Sequence, residues 1–237
     1  MKINVVILAG GIGSRMKADK PKQFIEIDGI PIIVNTIRNF QKNQRIKGIV
    51  VVCLKDWIPY MQSLIKKYEL TKVISIVEGG KTGHDSAKNG VLSLKDSMND
   101  DDLIVIHDAA RPLIPQLIIN DMLDVAIKNG NACSAIQCHD TVIQTEDQIS
   151  GDSQIDRSKI MRVQTPQAYK YKLISSLYER ADKDNIHDFI YANTMAINYG
   201  VKIYFSTGFD CNIKITTKED IAFYKAMSQF TEEELTK

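Results

Sequence analysis

The chain of 237 residues is poor in cysteine, nearly free of net charge and without a long apolar run, and each shortage excludes a class of protein. Cys53, Cys133, Cys138 and Cys211 fall into no CxxC or Cys/His spacing, so neither a zinc site nor a redox motif is indicated. They read as reduced thiols of a cytoplasmic protein, with Cys53 packed inside an apolar strand. A formal charge of +1 gives no electrostatic footprint for nucleic acid or for a membrane surface. No apolar stretch nears the roughly 18 residues of a spanning helix. The first apolar run is short and ends in glycines, unlike a secretory signal. Internal repeats and low-complexity segments are missing as well. Two nucleotide motifs are also lacking. No GxxxxGK[ST] string occurs, and in Gly11-Ile12-Gly13-Ser14-Arg15-Met16 the third glycine of the dinucleotide pattern is replaced. Arg15 stands where that pattern packs a helix closely on the sheet.

What remains has the composition of an ordinary globular protein, 44% apolar and 25% charged. Its size suits one α/β domain, with at most a small appendage. Short Val/Ile-rich runs at Asn4 to Leu8, Gly48 to Leu54, Val73 to Val77 and Leu103 to Ile106 read as buried parallel strands. Helical spacing fills the gaps, over Pro31 to Phe40, Trp57 to Tyr68, Asp85 to Leu94 and Leu117 to Asn129. The alternation predicts a doubly wound, mostly parallel sheet that binds ligands at the carboxyl ends of its strands. Between Ala132 and Val163 the rhythm breaks into short alternating runs with no helix, which predicts a β-arm. Helices are expected again over 171–181 and 186–199, strands at Val201 to Thr207 and Asn212 to Ile215, and a helix from Lys218 to Phe230.

The chemistry-bearing residues cluster at strand ends. Leu8-Ala9-Gly10-Gly11 leads from a strand into a loop whose glycines let backbone amides approach a phosphate chain. Arg15 and Lys22 supply full positive charge to the same oxygens, more than a tight turn needs. Gly79-Gly80 closes the third strand and offers a flat base a place against backbone, with Asp85 and Ser86 just beyond. Ser86 can either cap a helix or bind a ligand. His107-Asp108-Ala109-Ala110-Arg111-Pro112 follows the fourth strand. Arg111 suits a bidentate phosphate contact, and Asp108 a sugar hydroxyl or a hydrated metal, unless the two form a structural pair at a turn. Asp140-Thr141, Asp156-Arg157, Thr165-Pro166-Gln167 and Asn212-Ile213-Lys214 are individually ordinary turns, surface pairs or caps.

In this order, LAGGIGSRM, PKQF, HDAARP, the Asp-Thr pair, TPQ and NIKIT resemble the cytidylyltransferases that make CDP-polyols, from Asn4 to about Ala226. That family joins CTP to methylerythritol 4-phosphate or to ribitol 5-phosphate. The resemblance implies a Rossmann-like domain whose projecting β-arm clasps a second subunit. It implies a CTP loop at Leu8, Ala9, Gly10 and Gly11, and a base and ribose pocket at Gly79, Gly80, Asp85, Ser86, Asp108 and Ala109. Arg15 and Lys22 match the catalytic cations. Asp108, Arg111, Thr141, Arg157, Thr165 and Lys214 match the acceptor-binding set, with Thr141 and Arg157 serving the neighbouring subunit. Magnesium is the implied metal, with no protein ligands identified. The chain departs from the family pattern at two places. Lys81-Thr82-Gly83-His84 lacks the usual arginine, and Ile190-Tyr191-Ala192-Asn193 replaces a Thr-Asp-x-Ala string, leaving Asp188 as the nearest acid. The opening Leu-Ala-Gly-Gly, and Trp57 before a Lys-Lys-Tyr helix, lie closer to the ribitol branch, which would feed a surface polysaccharide or teichoic acid. The methylerythritol branch is the alternative. A nucleotide-binding protein without catalysis is a reading of another class, but has little use for both Arg15 and Lys22.

Overall fold

The computed structural model describes residues 1–11 and 20–236. Strand β1 (Ile3–Ala9) is followed by a short 3₁₀ turn (Lys22–Phe24) and a small hairpin of β2 (Glu26–Ile27) and β3 (Ile30–Pro31). Then come α1 (Ile32–Lys42), β4 (Gly48–Cys53), α2 (Ile58–Lys67), β5 (Val73–Glu78), α3 (Gly83–Leu92), β6 (Leu103–Asp108) and α4 (Gln116–Asn129). The second half contains β7 (Asn131–Gln137), β8 (Val142–Gln144), β9 (Ser153–Ile155), β10 (Met161–Lys170), α5 (Tyr171–Lys183), α6 (Ala192–Asn198), β11 (Phe205–Thr207), α7 (Lys218–Met227) and α8 (Glu232–Thr236).

Seven strands form one sheet in the order β11-β7-β10-β6-β1-β4-β5. All neighbours run parallel except β10, which is antiparallel to both β6 and β7. Both faces are covered, which is why the central strands read as unbroken apolar runs. Along β1, Ile3, Val5 and Ile7 pack into a core with Ile33 and Phe40 of α1, Leu64 of α2 and Ile119 of α4. Val6 points the other way, into a core with Val91 of α3 and Ile174 and Tyr178 of α5. Each fully buried Val or Ile here contributes about 1.5–3 kcal/mol of transfer free energy. Helix starts and stops follow local chemistry. A reciprocal Thr82–Asp85 box opens α3, another between Thr217 and Asp220 opens α7, and Gly130, with φ +86°, closes α4.

The doubly wound, mostly parallel sheet matches the expectation, while several boundaries differ. Asn131–Gln137 is a strand of the central sheet, and β10 enters that sheet beside it. The projecting part therefore spans only 138–160, narrower than the 132–163 expected, and is stiffened by the β8–β9 pair. The short runs of β7, interrupted by Asn131, Ser134 and Gln137, belong to a buried strand, and such a pattern alone cannot separate that from an arm. Residues 186–191 are not helical, because Asn185 turns left-handed (φ 55°) after α5 and the next helix starts only at Ala192. Only Phe205–Thr207 of the expected 201–207 strand pairs with β7. Residues 212–215 form no strand and are held by single bonds, Asn212 Nδ2 to the Thr165 carbonyl and Ile215 N to that of Ala110. Among the described residues no helix is long and apolar enough to cross a membrane.

Candidate active site

The carboxyl ends of β1, β5 and β6 open onto a cavity of about 620 Å³. On one side lies the glycine loop. Gln23, buried in the turn after Pro21, donates its amide to the carbonyls of Ala9 (2.6 Å) and Gly11 (3.1 Å), so the loop's entry is tied to the segment carrying Lys22. Phe24 anchors that segment by stacking on Trp57, ring centroids 4.9 Å apart. Lys22 itself lines the cavity.

Gly10 and Gly79 come together although β4 lies between their strands. A Cβ on Gly10 would sit 3.1 Å from Ser86 Oγ, and one on Gly80 would fall 2.2 Å from the Asp85 Cβ. Close approach leaves no room for a side chain at Gly80, and at Gly10 a methyl group would be tight against Ser86 Oγ. Ser86 is neither a cap nor free. Its Oγ accepts from Gly80 N (3.1 Å) and donates to the Thr82 carbonyl (2.9 Å), holding the Gly-Gly turn against the first turn of α3.

Beside the glycine loop, at the end of the neighbouring strand β6, stands an ion cluster. Asp108 pairs with Lys214 Nζ (3.0 Å) and with Arg111 Nε (3.1 Å), and Arg111 Nη1 donates to the Asn212 carbonyl. Asp108 N donates to Thr165 Oγ1 (3.1 Å), which joins β6 to β10. Burial pushes the Asp108 carboxyl up, but the Lys214 and Arg111 charges outweigh it and hold the group below the ordinary aspartate value. Burial pushes the Lys214 ammonium down, but the Asp108 charge and hydrogen bond prevail and raise it. Two cations face one carboxylate, so this wall carries an excess positive charge, suited to a phosphate. His107 lies behind it, fully buried. Its Nε2 hydrogen-bonds to the Arg111 carbonyl (3.0 Å), and burial lowers its pKa to about 4, so at neutral pH it is an uncharged prop.

Of the residues singled out from sequence, Leu8, Gly10, Gly11, Lys22, Gly80, Ser86, Asp108, Ala109, Thr165 and Lys214 line this cavity. Ala9 and Gly79 lie in its backbone support. Asp85 does not line it, because its carboxylate closes the capping box with Thr82. Arg111 does not line it either. The Asp-Arg pair is the structural one, holding Asp108 in place. Thr141 and Arg157 sit on the arm, away from this chain's own cavity, with Arg157 Nη1 bonded to the His139 carbonyl. Arg15 lies outside the described residues. Asp188 is exposed and absent from the lining, whereas Tyr191 lines the cavity. Sequence reasoning assigned no role to Gln23, Gln167 or Tyr191. The PKQ and TPQ strings contain the two glutamines and were the available signal. No group of three or more potential metal-ligating side chains occurs among the described residues, and the cavity's carboxylate, Asp108, is already engaged by two cations.

Comparison with known proteins agrees with this geometry. The family model for IspD, 2-C-methyl-D-erythritol 4-phosphate cytidylyltransferase, matches residues 3–229. A ribitol-5-phosphate cytidylyltransferase of Lacticaseibacillus paracasei is 37% identical over 94% of this chain and 97% of its own. A 2-C-methyl-D-erythritol 4-phosphate cytidylyltransferase of Clostridium novyi is 41% identical over 91% and 92%. The crystal structure of the Francisella tularensis 2-C-methyl-D-erythritol 4-phosphate cytidylyltransferase superposes with a TM-score of 0.81 at 26% identity, covering 95% of this chain and 99% of that one. With the family model spanning residues 3–229 and relatives of 37% and 41% identity over more than nine-tenths of the chain, the protein belongs to the IspD family of cytidylyltransferases, which are nucleotidyltransferases.

Proposed function

We propose that the protein transfers CMP from CTP to a small polyol phosphate, ribitol 5-phosphate in the first instance, releasing pyrophosphate. The observation that carries this reading is the division of one cavity into a backbone-lined glycine wall bearing Lys22 and an adjoining Asp108–Lys214 wall, given excess positive charge by Arg111 behind it. CTP lies along the first, its base against Gly79-Gly80 and its phosphates over Gly10-Gly11. The acceptor phosphate lies on the second. An acceptor oxygen attacks the α-phosphorus in line, a P–O bond forms, and the bond to the β-phosphate oxygen breaks with pyrophosphate carrying away the electron pair. The nucleophile is already an anion, so no general base is needed. The obstacle is repulsion between two anions, which Lys22, Arg15 and Lys214 offset as preorganised charge. The engaged Asp108 does not form a resident metal site. Magnesium, the metal that the resemblance implies, would enter bound to the nucleotide and would screen its phosphate charge.

Ribitol 5-phosphate is favoured because curated relatives that cover 94–97% of the chain at 36–37% identity carry that name. The product would then supply a surface polysaccharide or teichoic acid from the cytoplasm. The 41% identity to the Clostridium novyi enzyme favours methylerythritol 4-phosphate as the second reading. Pyrophosphate release from CTP with ribitol 5-phosphate, glycerol phosphates, mannitol phosphate and methylerythritol 4-phosphate separates them. Release with ribitol 5-phosphate at the highest kcat/KM supports the first reading, and release with methylerythritol 4-phosphate alone replaces it by the second. Release with none leaves a nucleotide-binding protein.

A homodimer belongs to the same proposal. On the single chain the arm leaves apolar side chains in water, Ile149 being 91% and Ile143 56% exposed, and a hairpin this small is marginal unless covered. A second arm related by two-fold symmetry covers it and brings Arg157 to the partner's cavity. Co-expressing Lys22→Ala with Arg157→Ala subunits, each inactive alone, should restore part of the activity, since a mixed dimer holds one intact site. A fully active monomer in sedimentation and dilution assays contradicts the arrangement.

A further inference from the structure

Beyond the ion cluster, two uncharged side chains on the acceptor side of the cavity have spare hydrogen-bond donors. Gln167 is 2% exposed and lines the cavity. Its Oε1 accepts from the backbone N–H of Asn193 (3.2 Å) and from the buried hydroxyl of Tyr169 (2.9 Å). A backbone N–H can only donate, so the amide is fixed with oxygen inward, and both lone pairs are used. Nε2 keeps its two hydrogens, and among the described residues it has no partner. Tyr191 also lines the cavity. Its Oη accepts from Lys214 Nζ at 3.5 Å, and the ammonium lies 5.6 Å from the centre of its ring. Lys214 has nothing to accept with, so the phenol's own hydrogen is left over, again without a partner among the described residues.

Neither group is built for a phosphate in the way the adjoining Lys214 is. Each is neutral, oriented by the protein and aimed into a space bounded by other donors. The complementary ligand surface is a row of hydroxyl oxygens. We propose that Gln167 and Tyr191 determine acceptor specificity by donating hydrogen bonds to the hydroxyls along the carbon chain of the polyol phosphate, so that a long polyol is preferred to a short one. This rests on the cytidylyl-transfer reading above. It concerns the hydroxyls of the acceptor and not its reacting phosphate oxygen, so both residues act on selection and not on bond making.

The test uses Gln167→Glu and Tyr191→Phe. Glutamate keeps an inward oxygen for Asn193 N–H and Tyr169 but loses the outward donor, and phenylalanine keeps the ring. For wild type and variants, kcat/KM is measured with CTP and either glycerol 3-phosphate or the better of ribitol 5-phosphate and methylerythritol 4-phosphate. In each variant the ratio of long to short acceptor should fall about tenfold, through KM for the long acceptor, while KM for CTP stays within about twofold. A residue that only supports the fold slows both acceptors alike and leaves the ratio unmoved. That result, or an unmoved ratio at full activity, overturns the inference. Should glutamate fail to fold, as its melting temperature will report, Tyr191→Phe alone decides in the same way. Wild-type protein that transfers to none of these acceptors overturns the cytidylyl-transfer reading itself and this inference with it, a result visible before any variant is made.

Discussion

The two walls of the cavity are made in opposite ways. The nucleotide wall is made largely of backbone, with Lys22 at its edge, and bonds spanning no more than 14 residues hold it, such as Ser86 to Gly80 and Thr82, or Gln23 to Ala9 and Gly11. The acceptor wall is made of side chains from four distant segments, with Asp108 joined to a lysine 106 residues away. The difference follows from what each must bind. A planar base needs a flat surface and fixed amides, which glycine loops at strand ends supply. A second phosphate needs positive charge that does not collapse onto the nearest carboxylate, which here means two cations on one buried Asp108.

The contrast should appear first in stability. Because His107 backs only the acceptor wall and is held uncharged, with a folded pKa of about 4 against an ordinary 6.5, the unfolded chain binds the extra proton between these values. Stability conferred by the neutral ring is therefore complete above about pH 6.5 and declines as pH falls toward 4, by on the order of 3 kcal/mol. Urea unfolding at stepped pH should show this slope in wild type and a flatter one in His107→Gln. Burial also lowers the His84 pKa, and this ring adds a residual slope in the same direction. An identical slope in both proteins removes His107 from the account.

On the nucleotide wall the largest effect is catalytic. Lys22→Ala should reduce kcat by about 10²-fold while the protein keeps its melting temperature. Near-normal turnover would show that the charge at the glycine loop is dispensable. A smaller change tests the backbone claim: Gly10→Ala puts a methyl group 3.1 Å from Ser86 Oγ and should raise KM for CTP several-fold with acceptor KM unchanged. Equal shifts in both would mean that the walls are not independent.

The same contrast explains what could be read from the chain. The nucleotide wall joins two short segments, each legible by itself, so glycines at strand ends locate Gly10, Gly11 and Gly80 from local pattern, and the βα rhythm locates the strands. The acceptor wall depends on tertiary pairing. Asp108 stands out at a strand end, but its pairing with Lys214 does not, Lys214 takes its role only from the family resemblance, and nothing local distinguishes Arg111 as a clamp from Arg111 as a phosphate ligand. That assignment needs the Asn212 carbonyl, which the fold brings from 101 residues away. Asp85 was misleading for a related reason: the acid of a capping box and the acid of a ribose contact look alike until Thr82 is seen beside it. Gln167 and Tyr191 stayed invisible because their importance lies in which of their atoms are already used. The arm is expected too wide because Asn131, Ser134 and Gln137 interrupt β7 with polar residues, yet its first five residues lie buried and the strand pairs with β10.

The measurement that tests the division most directly is Lys214→Ala, read as separate affinities for the two substrates. Calorimetric titration with magnesium and CTP should give a Kd within about twofold of wild type, while KM for ribitol 5-phosphate rises at least about tenfold. A parallel loss of both affinities, or an acceptor KM that does not move, would contradict the assignment of the Asp108–Lys214 wall to the acceptor.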